Sequence, residues 1–221
     1  MKKIEMHFHT KETSQCGTIE AKEAIKMYKE ANYNAVVVTD HFSEEALGSC
    51  EEKIWDEVVA KFLEGYNAAV LEGNQCGIKV YLGMEIRFLQ NGSDYLVYGV
   101  TKDFLDRYPW IYVKTLEEFR EICDIEGLCI IQAHPYRGGC IPADSRLLDG
   151  VEVHNANSQH DSHNEKALEW AQRDKLLQIV GSDFHRPADL SGNGILVENL
   201  PKNERELVQV IRSREYSISV N

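Results

Sequence analysis

The sequence predicts an α/β fold closed into a compact barrel, and three observations predict it. Segments rich in Val, Ile and Tyr alternate with segments of helical period, the pattern of a mainly parallel sheet. Roughly seven or eight such strands with intervening helices fall within 221 residues, which suggests a compact barrel. Five of the eight histidines sit at the C-terminal ends of predicted strands, the rim where a β/α barrel gathers residues from distant segments.

Residues 3–9 read as the first strand, and His7 and His9, two positions apart, share one of its faces. Thr18 is placed to N-cap a helix whose apolar positions Ala21, Ala24, Ile25 and Tyr28 follow the i, i+3, i+4, i+7 pattern. AVVVTDH (35–41) is the next buried strand. A long polar helix or helix pair fills 51–75. Residues 78–88 and 94–100 read as strands joined through QNGS, a hairpin-type turn that predicts an antiparallel or distorted pair. Thr115 and Glu118 form a capping box for a helix over 116–126, Gly127 ends it, and 128–134 is strand-like. Strands at 151–155, 176–185, 194–199 and 216–220 alternate with helices near 160–174 and 203–213. No repeat or linker interrupts this order, so a single domain over 1–221 is expected. Segments 42–60, 101–114 and 138–149 have no readable shape.

An apolar share of 43% suits a globular core. No run of about 18 apolar residues is present, and the N-terminus lacks the order of a signal peptide, so no membrane association and a cytoplasmic location are expected. With 36 acidic and 24 basic side chains the net charge is −12. That charge disfavours broad nucleic-acid binding, although a small anion can bind locally, above all beside cations. The six cysteines are scattered without a C-x-x-C pair and read as reduced thiols, about half of them core fillers.

His7, His9, His41 (TDH), His134 (AHP) and His185 (SDFH) share their strand-end placement with Glu85 (LGMEI) and Asp183. Imidazole and carboxylate together suit Zn, Mn or Fe better than Ca, and seven such groups exceed what a single zinc needs. Alone, an H-x-H pair arises by chance, and Asp or His can simply cap a helix. Five separate segments placing such residues at one rim is something core packing does not require.

These residues resemble the PHP family, the polymerase and histidinol phosphatase superfamily, through H-F-H-T (7–10), V-T-D-H (38–41), L-G-M-E (82–85), A-H-P (133–135) and G-S-D-F-H (181–185), in family order. The resemblance implies a distorted seven-stranded β/α (TIM-like) barrel, two or three divalent metal ions, and hydrolysis of phosphate esters. It implies that His7, His9, Glu85 and Asp183 hold a first metal, that Glu85 bridges to a second on His134, and that His41 and His185 hold a third. Two positions depart from the family pattern. Asp94 stands where many members carry a histidine, and Glu12, ahead of Cys16, is the expected substitute in TKETSQCG for a third-metal ligand.

Arg137 (AHPYRGG) and Arg186 (SDFHRP) are the expected phosphate-binding residues, because a guanidinium pairs with two phosphate oxygens; an ordinary salt bridge is the rival for each. His41, His154 or Asp40, or a metal-bound water in their place, is expected to protonate the leaving oxygen, His154 also being placed to touch substrate or a metal-bound water. His160 and His163 are expected to be solvated. The expected activity is hydrolysis of a small phosphorylated substrate, with metal neutralising phosphate charge and acidifying a bound water. An amidohydrolase-like hydrolase and a non-catalytic metal-binding regulatory module are the alternatives. Oligomeric state leaves no trace in the sequence, and Trp55, Trp110 and Tyr112 are expected in the core.

Overall fold

The computed structural model describes residues 1–49 and 53–221, so Cys50 and the first two residues of the expected 51–75 helix lie outside the described residues. The elements run β1 (Lys2–Phe8), α1 (Ala21–Glu30), β2 (Ala35–Val38), β3 (His41–Phe42), α2 (Glu44–Leu47), α3 (Trp55–Cys76), β4 (Lys79–Arg87), β5 (Asp94–Tyr98), α4 (Lys102–Arg107), α5 (Leu116–Glu126), β6 (Cys129–Gln132), β7 (Gly150–Asn155), α6 (Asn164–Asp174), β8 (Leu177–Gly181), β9 (Gly194–Val197), α7 (Glu204–Ser213) and β10 (Ser217–Ser219). The predicted 35–41 strand breaks after Val38 and resumes as the two-residue β3, and α2 and α4 arise in segments the sequence left unassigned.

The sheet path is β10-β9-β1-β2-β4-β5-β6-β7-β8, with β3 against β4. The β4–β5 pair is antiparallel, as the QNGS turn predicts, and β5–β6 is antiparallel too. β8 returns to β1 only at the rim, where Phe8 bridges Phe184 and His9 N donates to Phe184 O at 3.1 Å. Lower down, β1 pairs instead with β9 from Lys2 to Ile4. The seven strands β1, β2 and β4 to β8 therefore make a nearly closed, distorted barrel of the expected class.

One buried cluster takes Ile4 and Met6 from β1, Ala35 and Val37 from β2, Tyr81, Leu96, Ile131 and Ile179 from later strands, and Leu207 and Ile211 from α7. Polar residues gather at the opposite end. An irregularity in β1 allows both: between Glu5 and Phe8 it carries one residue more than β2. A bulge of this kind shifts the alternation of a strand, so Met6 joins the apolar cluster while His7 and His9 face the rim.

The helices form much as their patterns require. α1 buries Ala21, Ala24, Ile25 and Tyr28, and α5 has both bonds of the Thr115–Glu118 capping box with Gly127 left-handed at its end. Thr18 does not cap α1. Its N–H and hydroxyl instead donate to His185 O at 2.8 and 2.9 Å, and both carboxylate oxygens of Glu12 accept from Ala21 N at 3.0 Å. Trp55 and Trp110 meet at a tilt of 60° with centroids 4.7 Å apart beside buried Tyr112.

Candidate functional site

The rim brings His7, His9, His41, Glu85, His134, Asp183 and His185 together. Strand ends deliver them, helped by two strained backbones: His134 and Asp183 hold φ of 25° and 50°. Left-handed conformations cost a non-glycine residue about 1–3 kcal/mol and concentrate where side-chain placement matters.

Hydrogen bonds fix which imidazole nitrogens carry protons. His7 Nδ1 lies 2.9 Å from Glu152 Oε1, both fully buried, so the carboxylate takes an N–H and Nε2 keeps its lone pair. Ser14 Oγ donates to Asp40 Oδ1 at 2.7 Å and so accepts from His9 Nδ1 at 3.2 Å. His9 Nε2 then also points inward as a lone pair. The two Nε2 atoms stand 3.1 Å apart, with Asp183 Oδ1 3.4 Å from each. Electron pairs so close require a cation among them. Glu85 makes the same demand: His134 Nε2 lies 3.1 Å from Oε1, while Oε2, 3.2 Å from His9 Nε2 and 2.9 Å from His41 Nδ1, is buried without a directed hydrogen bond.

Ligand atoms of His7, His9 and Glu85, of His7, His134 and Asp183, and of His9, His41 and His185 lie within 4.8 Å of one another in each group. Nitrogen donors mixed with carboxylates, buried and short of protons, fit divalent transition metals. Without a metal, protons meet the demand. Burial lowers the pKa of His7, but Glu152, Asp183 and Glu85 outweigh it and hold it well above its ordinary value. Burial likewise opposes charge on His134, yet hydrogen bonds with Cys140 and Glu85 push it up to about 10. Burial opposes ionisation of Glu85 and Asp183 too, and the surrounding histidines, with Arg137 for Asp183, keep both well below the carboxylate range.

Beside the cluster opens a cleft of about 240 Å³, lined among others by His41, Glu85, His134, Arg137, Asp183 and Arg186. Arg137 Nη2 donates to Asp183 Oδ2 at 2.6 Å and to Asn155 Oδ1 at 2.9 Å, and its buried Nε has no partner. Arg186 is 41% exposed, its Nε 3.6 Å from Asp189. His160, expected only to be solvated, stands at the cleft edge. Cys16 lies at the lip. Desolvation opposes ionisation of its thiol, but hydrogen bonds with His185 and His41 bring it down to about 5.

Four expected site residues fall elsewhere or are engaged. Glu12 is turned away from the cluster, because the N–H groups at the start of α1 attract its carboxylate. Asp94 lies directly across the β4–β5 ladder from Arg87, which holds both its oxygens at 2.7 and 2.8 Å. It stays within reach of His134 and Cys140 but is already paired. Asp40 is occupied by Thr10 and Ser14. His154 is carried off by an irregularity after Glu152, where β7 has one more residue than β8. Its Nδ1 faces the Asn164 amide at 3.3 Å, and Asn155 takes the inward position, bonding Glu152 and Asp183.

Several supporting residues escaped the sequence reading. Glu152 orients His7 and accepts from His134 N at 2.9 Å. Glu5, raised to about 7 by burial against the hydrogen bonds it receives, accepts from His7 N and Ser182 N. The available signal was period-two acidity, Glu5 before His7 and Glu152 before His154, inside apolar strands.

Fold and site define a β/α barrel with a buried His/carboxylate cluster of metal-ligand type at its rim. The PHP domain profile matches residues 5–186, and the chain belongs to that family. Among solved structures, a two-domain protein from Bacteroides vulgatus containing a predicted PHP-like metal-dependent phosphoesterase aligns over 100% of this chain and 65% of its own, with TM-score 0.69 and 14% identity. The chain therefore spans just under two thirds of that protein. An amidohydrolase from Chromobacterium violaceum, solved with sulfate and no metal, aligns over 99% and 98%, with TM-score 0.59 and 15% identity. A lesion-specific endonuclease from Pyrococcus furiosus aligns over 98% of this chain and 57% of its own, with TM-score 0.60 and 15% identity. At these identities the likeness concerns the fold. No curated protein sequence matches. Among the described residues no helix is long and apolar enough to cross a membrane.

Proposed function

We propose that the protein is a metal-dependent phosphoesterase acting on a small phosphorylated molecule. The observation that carries the reading is that Arg137 and Arg186 line the same cleft as the ligand cluster. A phosphate ester presents paired anionic oxygens that two guanidinium groups can bind in forks. The net charge of −12 and the small cleft favour a compact ester over a nucleic-acid duplex.

His7, His9, Glu85, His134, Asp183, His41 and His185 would hold two or three divalent ions, Zn, Mn or Fe, which neutralise ester oxygens and acidify water when bound. Glu152 and Ser14 each face the Nδ1 of a ligand histidine and so turn the Nε2 atoms of His7 and His9 inward, orienting the ligands in advance. Arg137 anchors Asp183 through Nη2 in the wall of the cleft, and Arg186, loosely tied to Asp189, lines its exposed side. Neither His154 nor Asp40 lines the cleft, and His41, which does, is taken up as a ligand, so a metal-bound water is the proton source that the reading leaves for the leaving oxygen.

The test is phosphate release from monoesters and diesters by demetallated protein reloaded with Zn²⁺, Mn²⁺ or Fe²⁺, with cyclic amides and abasic DNA in parallel. Turnover of small esters by loaded protein, lost on chelation and reduced about 100-fold in kcat/KM by Arg137→Ala, is expected, since a hydrogen bond to a charged group contributes about 1.5–3 kcal/mol. Turnover of amides or DNA alone would overturn the reading.

A further inference from the structure

We propose that Arg87 is a specificity-determining residue whose guanidinium receives a second anionic group, a carboxylate or a further phosphate, carried on the alcohol portion of the ester. This rests on the phosphoesterase reading above. Arg87 ends β4 two positions after Glu85, and side chains two apart on a strand leave by the same face, so both line the metal cleft. Directly across the antiparallel ladder, Asp94, whose side chain is 4% exposed, accepts from Arg87 Nε and Nη2 at 2.7 and 2.8 Å. The same Asp94 Oδ2 lies 4.0 Å from His134 Nε2. Arg87 is thereby fixed one carboxylate away from a ligand histidine.

Two observations distinguish this guanidinium from an ordinary surface charge. A second cavity of about 200 Å³ opens beside the metal cleft and shares Cys16, His41, Arg87 and Asp94 with it, with Ser43 and Ala46 on its far side. An ester whose phosphate lies on the ligand cluster has room there for its alcohol portion, and among the described residues lining that cavity Arg87 alone is an arginine or lysine. The second observation is the direction of the guanidinium. Two of its five N–H groups are spent on Asp94, while Nη1 meets Glu45, 3.3 Å away and 80% exposed. An exposed pair of this kind contributes little. An incoming anion therefore displaces a solvated partner and meets Nη1 and Nη2 as a fork, on a side chain whose rotamer Asp94 has already fixed. An uncharged alcohol portion leaves Arg87 with the Glu45 contact it already has and gains nothing from it.

The experiment measures kcat/KM of the metal-loaded full-length chain for propyl phosphate, its carboxyl-terminated counterpart and propanediol bisphosphate, as wild type, Arg87→Met and Glu45→Gln. The readout is the ratio of charged to uncharged ester, because loss of fold or of metal lowers both alike and leaves their ratio unmoved. Wild type should prefer at least one charged ester by about 10- to 100-fold, the contribution of a hydrogen bond to a charged group. Which of the two it prefers tells a carboxylate from a second phosphate. Arg87→Met should bring the ratio close to one. Glu45→Gln, which frees Nη1 by removing an exposed partner, should raise it about two- to fivefold. A wild-type ratio close to one, or a preference that Arg87→Met leaves unchanged, overturns the assignment while leaving the phosphoesterase reading intact. Metal-loaded wild type that turns over none of the three esters overturns both.

Discussion

Replacing Glu152 with glutamine tests the claim that a buried carboxylate sets the protonation of a ligand histidine. Oε1 faces His7 Nδ1 at 2.9 Å, and Oε2 accepts from His134 N and Asn155 Nδ2, each at 2.9 Å. Three donors thus meet two acceptors. Glutamine keeps the shape but supplies one oxygen, so its NH₂ must face a donor whichever way it turns. Turned toward His7, it accepts no proton from Nδ1, and the ring shifts to the tautomer that protonates the inward nitrogen. Turned the other way, it leaves two buried N–H groups facing an amide, at about 1–3 kcal/mol each. Loss of such a partner typically weakens metal binding by 10- to 100-fold, about 1.4–2.7 kcal/mol. Calorimetric titration of demetallated Glu152→Gln with Zn²⁺ or Mn²⁺ measures this, with circular dichroism reporting the fold. Affinity within twofold of wild type, in a folded variant, would refute the reasoning.

His154→Ala should leave metal content and kcat/KM within about twofold of wild type, since the bulge in β7 turns that ring away; a loss beyond tenfold by steady-state kinetics would restore His154 to the site. Gly181→Ala should weaken metal binding and destabilise the protein by about 1–3 kcal/mol, because the new Cβ would lie 2.4 Å from His7 Cβ; chemical denaturation and metal titration measure the two effects. The metal-free protein should be most stable in mildly acidic solution. His134, raised to about 10, contributes stability that is complete below about 6.5 and lost as pH rises toward 10, whereas the depressed Glu85 and Asp183 contribute stability above their unfolded values that is lost on acidification. Thermal melts of metal-free protein from pH 3 to 10 should trace this bell, and metal loading should flatten its alkaline limb while releasing protons.

What the sequence determined alone is what depends on neighbours in the chain. The pairing of Thr115 with Glu118, the apolar stripe of α1, the hairpin at QNGS and the strand-end placement of the histidines all follow from spacing within a few residues. The tertiary structure decided what depends on register between strands. Asp94 lost its freedom to Arg87 because the antiparallel ladder sets them opposite each other. His154 and Asn155 exchanged places because β7 holds one residue more than β8, and Glu12 left the cluster because α1 begins where its carboxylate can reach. A bulge changes which residues face inward without changing a strand's composition, so no local pattern announces it. Glu152 is the same case in reverse: an acid within an apolar strand, its role fixed only by meeting a histidine 145 positions away.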